Sequence, residues 1–183
     1  MLESCAITGH RPARFKFKYN ENNTGCKRLK KRLRDQLALL YEKGVRYYWI
    51  GGALGVDLWA GEILLRLKEQ PDYKEIELMM ALPFEGYDKD WVARSKERMA
   101  FLRQHSTNTV IVGVAGQDAA KNYRRRNQFM VDYADCLLAV YDNVRSVRSG
   151  TGMTVHYAER KRLPVILIHP DTGIVTPLGA LTD

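Results

Sequence analysis

Apolar residues fall along this chain in two alternating textures. Short runs dense in aliphatic and aromatic side chains occur at Ser4 to Thr8, Tyr47 to Ile50, Ile76 to Leu82, Thr109 to Val112, Cys136 to Tyr141 and Pro164 to Ile168. Between them lie longer stretches in which Leu, Trp or Met recurs every three or four residues. The first texture predicts strands and the second predicts amphipathic helices, over Thr24 to Lys43, Asp57 to Glu69, Trp91 to His105, Asn122 to Ala134 and Thr151 to Lys161. Gly44 suits a left-handed cap after the first helix, and Asp57 and Thr151 suit N-caps. Regular alternation of strand and helix points to parallel strands joined by crossover helices. Several strands are apolar almost throughout, as expected where helices cover both faces of a sheet. The expected fold is therefore α/β: a doubly wound, mostly parallel sheet of about six strands with helices on both faces, formed by residues 1–183 as one domain.

Composition narrows the setting. With 183 residues and 45% of them apolar, the chain can bury a single core. No apolar run approaches the roughly 20 residues of a membrane span, and Met1 to Gly9 lacks a basic flank leading into a longer apolar stretch, so a cytoplasmic protein with no membrane partner is expected. Cys5, Cys26 and Cys136 are odd in number and lack metal-ligand spacing, which predicts free buried thiols in a reducing compartment and no metal. A formal charge of +8 favours anionic partners without choosing among them. Much of that surplus lies in Lys27, Arg28, Lys30, Lys31, Arg32 and Arg34, which the spacing of Leu29, Leu33, Leu37 and Leu40 places on a helix's outer side, where a solvated face is the expectation.

Four long irregular segments follow strand ends: His10 to Asn23, Pro83 to Asp90, Gly113 to Lys121 and Asn143 to Gly150. In open parallel sheets ligands bind outside the carboxyl ends of the strands, so the turns there carry the candidate chemistry. In the first, Thr8-Gly9-His10-Arg11-Pro12, Thr8 offers a hydroxyl, Gly9 a close backbone approach, and Arg11 a planar fork for phosphate oxygens. No second ligand stands at metal spacing from His10, which favours a hydrogen-bonding or stacking role over a metal ligand or general base. The second turn, Gly51-Gly52-Ala53-Leu54-Gly55-Val56-Asp57, ends a strand and opens a helix, where main-chain amides and the helix terminus favour an anion. It is neither a Walker sequence nor the strict dinucleotide fingerprint. Asp57 is read either as a plain N-cap or as a holder of a ribose hydroxyl. The third turn, Ser149-Gly150-Thr151-Gly152, brings two hydroxyls and small residues to another helix start.

Between the second and third turns stands Arg124-Arg125-Arg126-Asn127-Gln128. Three consecutive arginines spread around more than half a helix turn, so at least one or two must face solvent or be paired; Arg126 and Asn127 are the candidates for the site. Pro83 and Phe84, just after the third strand, offer an aromatic face for a base, with rim packing as the alternative for Phe84.

Taken together, these motifs resemble the SLOG superfamily, which joins the DNA-processing protein Smf/DprA and the Lonely Guy (LOG) proteins, and within it the YpsA-like branch. The resemblance runs from Ile7-Thr8-Gly9-His10-Arg11-Pro12 through Gly51-Gly52-Ala53-Leu54-Gly55-Val56-Asp57 and Arg126-Asn127-Gln128 to Gly150-Thr151-Gly152. It implies a Rossmann-like fold with nucleotide or ADP-ribose-like ligands at the turns. LOG-like proteins cleave the base from a nucleoside monophosphate. Arg126 falls where their arginine would be, but Asn127 replaces their lysine and His156 stands at their glutamate position, leaving Glu159, one helix turn on, as a weak substitute.

Three functions compete at this point. The leading one is binding, sensing or sequestration of a nucleotide or nucleotide-derived small molecule, with no cofactor required. A second is an N-glycosidase or phosphoribohydrolase using Arg126 with Glu159 or Asp57. The third is single-stranded DNA binding, for which Tyr19, Tyr123 and Phe129 are scattered stacking candidates. Related folds pair through helices, so a homo-oligomer is an open expectation.

Overall fold

The structure is a computed structural model that describes residues 1–179. Its centre is a seven-stranded sheet in the order β4-β3-β2-β1-β5-β6-β7. The strands are β1 (Ser4–Gly9), β2 (Tyr47–Ile50), β3 (Glu77–Leu82), β4 (Asn108–Ile111), β5 (Cys136–Val140), β6 (Val165–Ile168) and β7 (Val175–Leu178). The first six pair in parallel, and β7 joins β6 antiparallel. The expectation of about six strands thus holds for the parallel part. β7 escaped it because Pro177 interrupts a short run, and proline is tolerated in a sheet chiefly at an edge such as this.

Five helices connect the strands: α1 (Thr24–Glu42), α2 (Val56–Lys68), α3 (Ala93–His105), α4 (Ala119–Asp132) and α5 (Gly150–Arg160). Side chains alternate across the sheet, sending Cys5, Ile7, Leu138 and Val140 toward α1, α2 and α3. Ala6, Leu137, Ala139 and Tyr141 go toward α4 and α5. This two-sided burial explains why the strands read as continuous apolar runs. On α1, Leu29, Leu33, Leu37 and Leu40 are buried, while Lys27, Arg28, Lys31, Arg32 and Arg34 are exposed, as the spacing required. Lys43 caps this helix and Gly44 follows at φ 106°.

Two caps differ from expectation. The N-cap of α2 is Gly55, at φ 85°, rather than Asp57, and that of α5 is Ser149 rather than Thr151. Each helix begins one residue early because the preceding residue takes the non-helical cap conformation: Gly55 alone tolerates its dihedrals, and Ser149 supplies the oxygen that accepts the Gly152 amide. All three cysteines are free and buried. No described helix is long and apolar enough to cross a membrane, and the described residues contain no cluster of metal-ligating side chains.

The chain order places the site. From β1 the chain winds outward through β2 and β3 to β4; α4 then carries it back across the opposite face to β5, beside β1. The connections after β1 and β5 therefore diverge to opposite faces, opening a crevice above Gly9 and Val140, which are paired across the two strands.

Candidate functional site

That crevice is a cavity of about 440 Å³. It is lined from the first turn by Thr8, Gly9, His10 and Arg11, from the second by Ala53 and Asp57, from α4 by Arg126 and Asn127, and from the third by Ser149, Gly150 and Thr151. Residues from four separate segments, more than 140 positions apart at the extremes, thus meet around one space. Six of the expected residues stay off its wall: Gly51, Gly52, Gly55, Pro83, Phe84 and Gly152.

The second turn is organised from within. Asp57 reaches back from the first turn of α2 and accepts hydrogen bonds from the amides of Gly51 at 3.0 Å and Ala53 at 3.2 Å. The anion at these amides is the protein's own carboxylate, so Asp57 acts neither as a plain N-cap nor, with this oxygen, as a ribose holder. Arg126 donates to the Gly51 carbonyl through Nη1 and to Asn127 Oδ1 through Nε at 2.7 Å. Gly51 therefore joins Asp57 to Arg126 through both its main-chain groups. Glycine here leaves room for the Arg126 guanidinium, whose carbon would lie 2.6 Å from a Cβ and would have to shift. Gly52, at φ 72°, points its missing side chain at Leu82 and Tyr87, each 2.6 Å from the ideal Cβ, and Tyr87 donates to the Gly52 carbonyl at 2.8 Å. Space beside Gly52 is thus filled by packing and does not face a ligand.

Arg126 is 4% exposed and Asp57 5%, whereas Arg124 and Arg125 face solvent. Burial pushes the Asp57 carboxyl above its ordinary range, opposed by nearby Arg126 and the two amides. The same burial lowers the Arg126 guanidinium, opposed chiefly by Asp57. Each charge is short of water, and Arg126 Nη2 has no partner among the described hydrogen bonds while its residue lines the cavity. An anion arriving there would relieve the desolvation of the guanidinium.

The third turn is left open. Ser149 Oγ takes the Gly152 amide at 3.0 Å, and the preceding amides, of Gly150 and Thr151, have no hydrogen-bond partner among the described residues. Nothing lies within 4 Å of a Cβ built on Gly150. Gly152 instead packs behind the turn, where a Cβ would meet the Tyr141 hydroxyl at 2.9 Å. Two free amides at a helix start, beside Arg11 and Arg126, form the anion-favouring end of the cavity.

His10 is buried, with its amide donating to Val140 O at 3.3 Å and its Nε2 placed 3.5 Å from Asp142 Oδ1. Its ring meets Tyr141 and Phe15 edge-on, at 5.4 and 6.4 Å. Burial and then Arg14 push its pKa below the ordinary histidine value, against the pull of Asp142. Phe84 packs edge-on against Tyr87 and Tyr123. Glu159 turns away: Arg145 grips it with two hydrogen bonds, at 2.7 and 2.9 Å, and it lines neither the cavity nor the groove beside it. Where a LOG-type glutamate would reach the cavity, Glu159 is paired with the Arg145 guanidinium.

Sequence reasoning named Tyr123 only as a scattered stacking candidate for DNA and passed over Ala13, Arg14 and Arg148, all of which line the cavity. Tyr123 is flanked by the Arg11 and Arg126 guanidiniums, 5.1 and 5.5 Å from its ring centre. Its spacing signalled this, since it stands three and four positions before Arg126 and Asn127 on one helix face.

Comparison with known proteins now decides the family. The chain matches the YspA SLOG family over residues 5–172. It belongs to that family. Among curated relatives, a UPF0398 protein of Bacillus cereus (strain G9842) is 30% identical over 142 residues, covering 77% of this chain and 75% of its own. Another, from Bacillus thuringiensis (strain Al Hakam), is 28% identical with the same coverage. Among solved structures, a DNA processing protein A from Helicobacter pylori, studied for its single-stranded DNA binding mode, superposes with a TM-score of 0.56 at 15% identity. That match covers 90% of this chain and 64% of the other, and it shows a shared fold.

Proposed function

We propose that this chain is a binding module for a phosphate-bearing nucleotide or nucleotide-derived molecule, held in the crevice over β1 and β5. The observation that carries this reading is the buried Arg126 guanidinium, held by Gly51 and Asn127, on the same cavity wall as Gly150 and Thr151, whose amides have no partner among the described residues. A phosphate bridging these donors and Arg11 would leave Tyr123 and the rest of the wall to contact the sugar and base. The paired-off Glu159 supports binding over LOG-type base cleavage.

A thermal-shift panel of nucleotides tests it. A ligand at 100 times its Kd stabilises the fold by about 2.7 kcal/mol. Arg126→Ala should then weaken calorimetric binding by about 1.5 to 3 kcal/mol, the range of hydrogen bonds to charged groups. A full panel without any shift would remove the reading.

Single-stranded DNA is the second reading, supported by the likeness to DNA processing protein A and by a basic groove that continues from the cavity. It predicts that affinity falls with salt at a slope of roughly 0.7 per phosphate contacted, against a gentler dependence for one enclosed nucleotide.

A further inference from the structure

The cavity does not end at Gly150. It opens into a groove of about 640 Å³ between α4 and α5, and the two spaces share Arg11, Tyr123, Asn127, Arg148, Ser149 and Gly150. Each volume lies in the range of an ordinary small-ligand site. One wall is the α4 stripe Ala120, Tyr123, Arg124 and Asn127. The other is the α5 stripe Met153, His156, Tyr157 and Arg160, with the same three- and four-residue spacing that puts side chains on one helix face.

Three features define what fits there. Among the described residues the groove's walls carry Arg11, Arg124, Arg148 and Arg160 and no carboxylate, which favours an anionic occupant. Met153 leaves an apolar side chain 36% exposed, and Tyr157 adds a ring, so the occupant also has a flat apolar part. Beyond Tyr157 the two helices are tied together by Asp132, which accepts from the Tyr157 hydroxyl at 2.9 Å and from Lys161. From Gly150 to Arg160 the α5 wall extends about 15 Å at the usual rise per residue. This tie places a carboxylate where a longer anionic strand would have to pass.

We infer that the groove is a second subsite, taking the phosphate-linked second nucleoside of a dinucleotide-class ligand whose first unit fills the cavity. The inference rests on the reading of the cavity as a nucleotide site and names the class of ligand. Arg11 and Arg148, common to both spaces, would face the linking phosphates, and the second ring would cover Met153.

Calorimetry on the full chain tests this with the common 5′-mononucleotides, the matching symmetrical dinucleoside diphosphates and single-stranded oligodeoxynucleotides. At least one dinucleoside diphosphate should bind about tenfold or more tightly than its mononucleotide, a gain of about 1.4 kcal/mol. Met153→Glu, and separately Arg124→Ala combined with Arg160→Ala, should erase that gain while mononucleotide affinity and the thermal midpoint stay unchanged. Equal affinity for both ligands in the unaltered protein would overturn the inference and leave the cavity reading standing. Equal weakening of both ligands in the variants would overturn it too, as would an oligodeoxynucleotide binding far more tightly than any dinucleotide. Absence of all mononucleotide and dinucleotide binding would instead remove the cavity reading itself.

Discussion

The second and third glycine turns have similar chemistry in sequence, small residues at a strand-to-helix junction, yet the fold uses them in opposite ways. At Gly51 to Asp57 the amides of Gly51 and Ala53 are taken by Asp57, and the spaces beside Gly51 and Gly52 by Arg126, Tyr87 and Leu82. At Ser149 to Gly152 the cap occupies one amide, and Gly150 and Thr151 keep theirs free beside open space. One turn is a socket for a protein side chain and brings only Ala53 and Asp57 to the cavity; the other lines it with Ser149, Gly150 and Thr151. A glycine therefore marks close approach, and only its neighbours in space show whether the approaching group is a guest or part of the protein.

The comparison can be broken most forcefully at its internal anion. Asp57→Ala removes the acceptor for two amides and the charge nearest a buried guanidinium, and should cost about 3 kcal/mol of stability by urea unfolding, given 1.5 to 3 kcal/mol per hydrogen bond to a charged group. A loss under 1 kcal/mol would show that the second turn does not depend on Asp57. Gly51→Ala comes next. Its methyl would displace the Arg126 guanidinium, with a stability loss of about 1 to 3 kcal/mol from overpacking and reduced ligand affinity measured alongside. Gly150→Ala sharpens the contrast, since its methyl meets no protein atom: stability should stay within about 0.5 kcal/mol. Ligand affinity should nevertheless fall as the methyl enters the approach to the free amides.

A smaller effect concerns the loop that carries Arg11. Glu21, at the far end of that loop, is held by Arg98 with hydrogen bonds of 2.6 and 3.0 Å and by Lys30, while Arg98 also grips Glu62 of α2. Partial burial alone would raise the Glu21 pKa, but these cations bring it down to about 2 from an ordinary 4.5. A carboxylate depressed in the folded state contributes stability that is complete above its unfolded pKa and lost as pH falls through the folded one. Stability should therefore decline between about pH 4.5 and 2, and Glu21→Gln should flatten that part of the profile in acid titrations followed by circular dichroism. An unchanged slope would detach Glu21 from the acid response.

Much of the fold was legible because burial on both sheet faces leaves an unmistakable mark: six apolar runs at regular intervals, and helices whose Leu spacing fixed α1 almost to the residue. Helix starts were less so. Asp57 and Thr151 are better cap residues by type than Gly55, but the cap is set by backbone dihedrals that depend on where the turn must go. β7 was missed because it is short and carries Pro177, which an edge strand tolerates. Within the site, Arg126 and Asn127 could be selected over Arg124 and Arg125 from helix geometry, whereas the absence of Phe84 from the cavity wall reflects the packing of Tyr87 and Tyr123 around it.

From sequence alone, local periodicity determined the alternating elements, the covered sheet and the strand ends at which a ligand would approach, since each depends on residues a few positions apart. Tertiary structure decided the rest: that Asp57 fills the second turn, that Tyr123 and Arg148 join the wall, and that Glu159 turns away to Arg145. Those outcomes depend on which distant groups compete for the same amide, cation or empty volume, and that competition exists only once the chain has brought them within hydrogen-bonding distance.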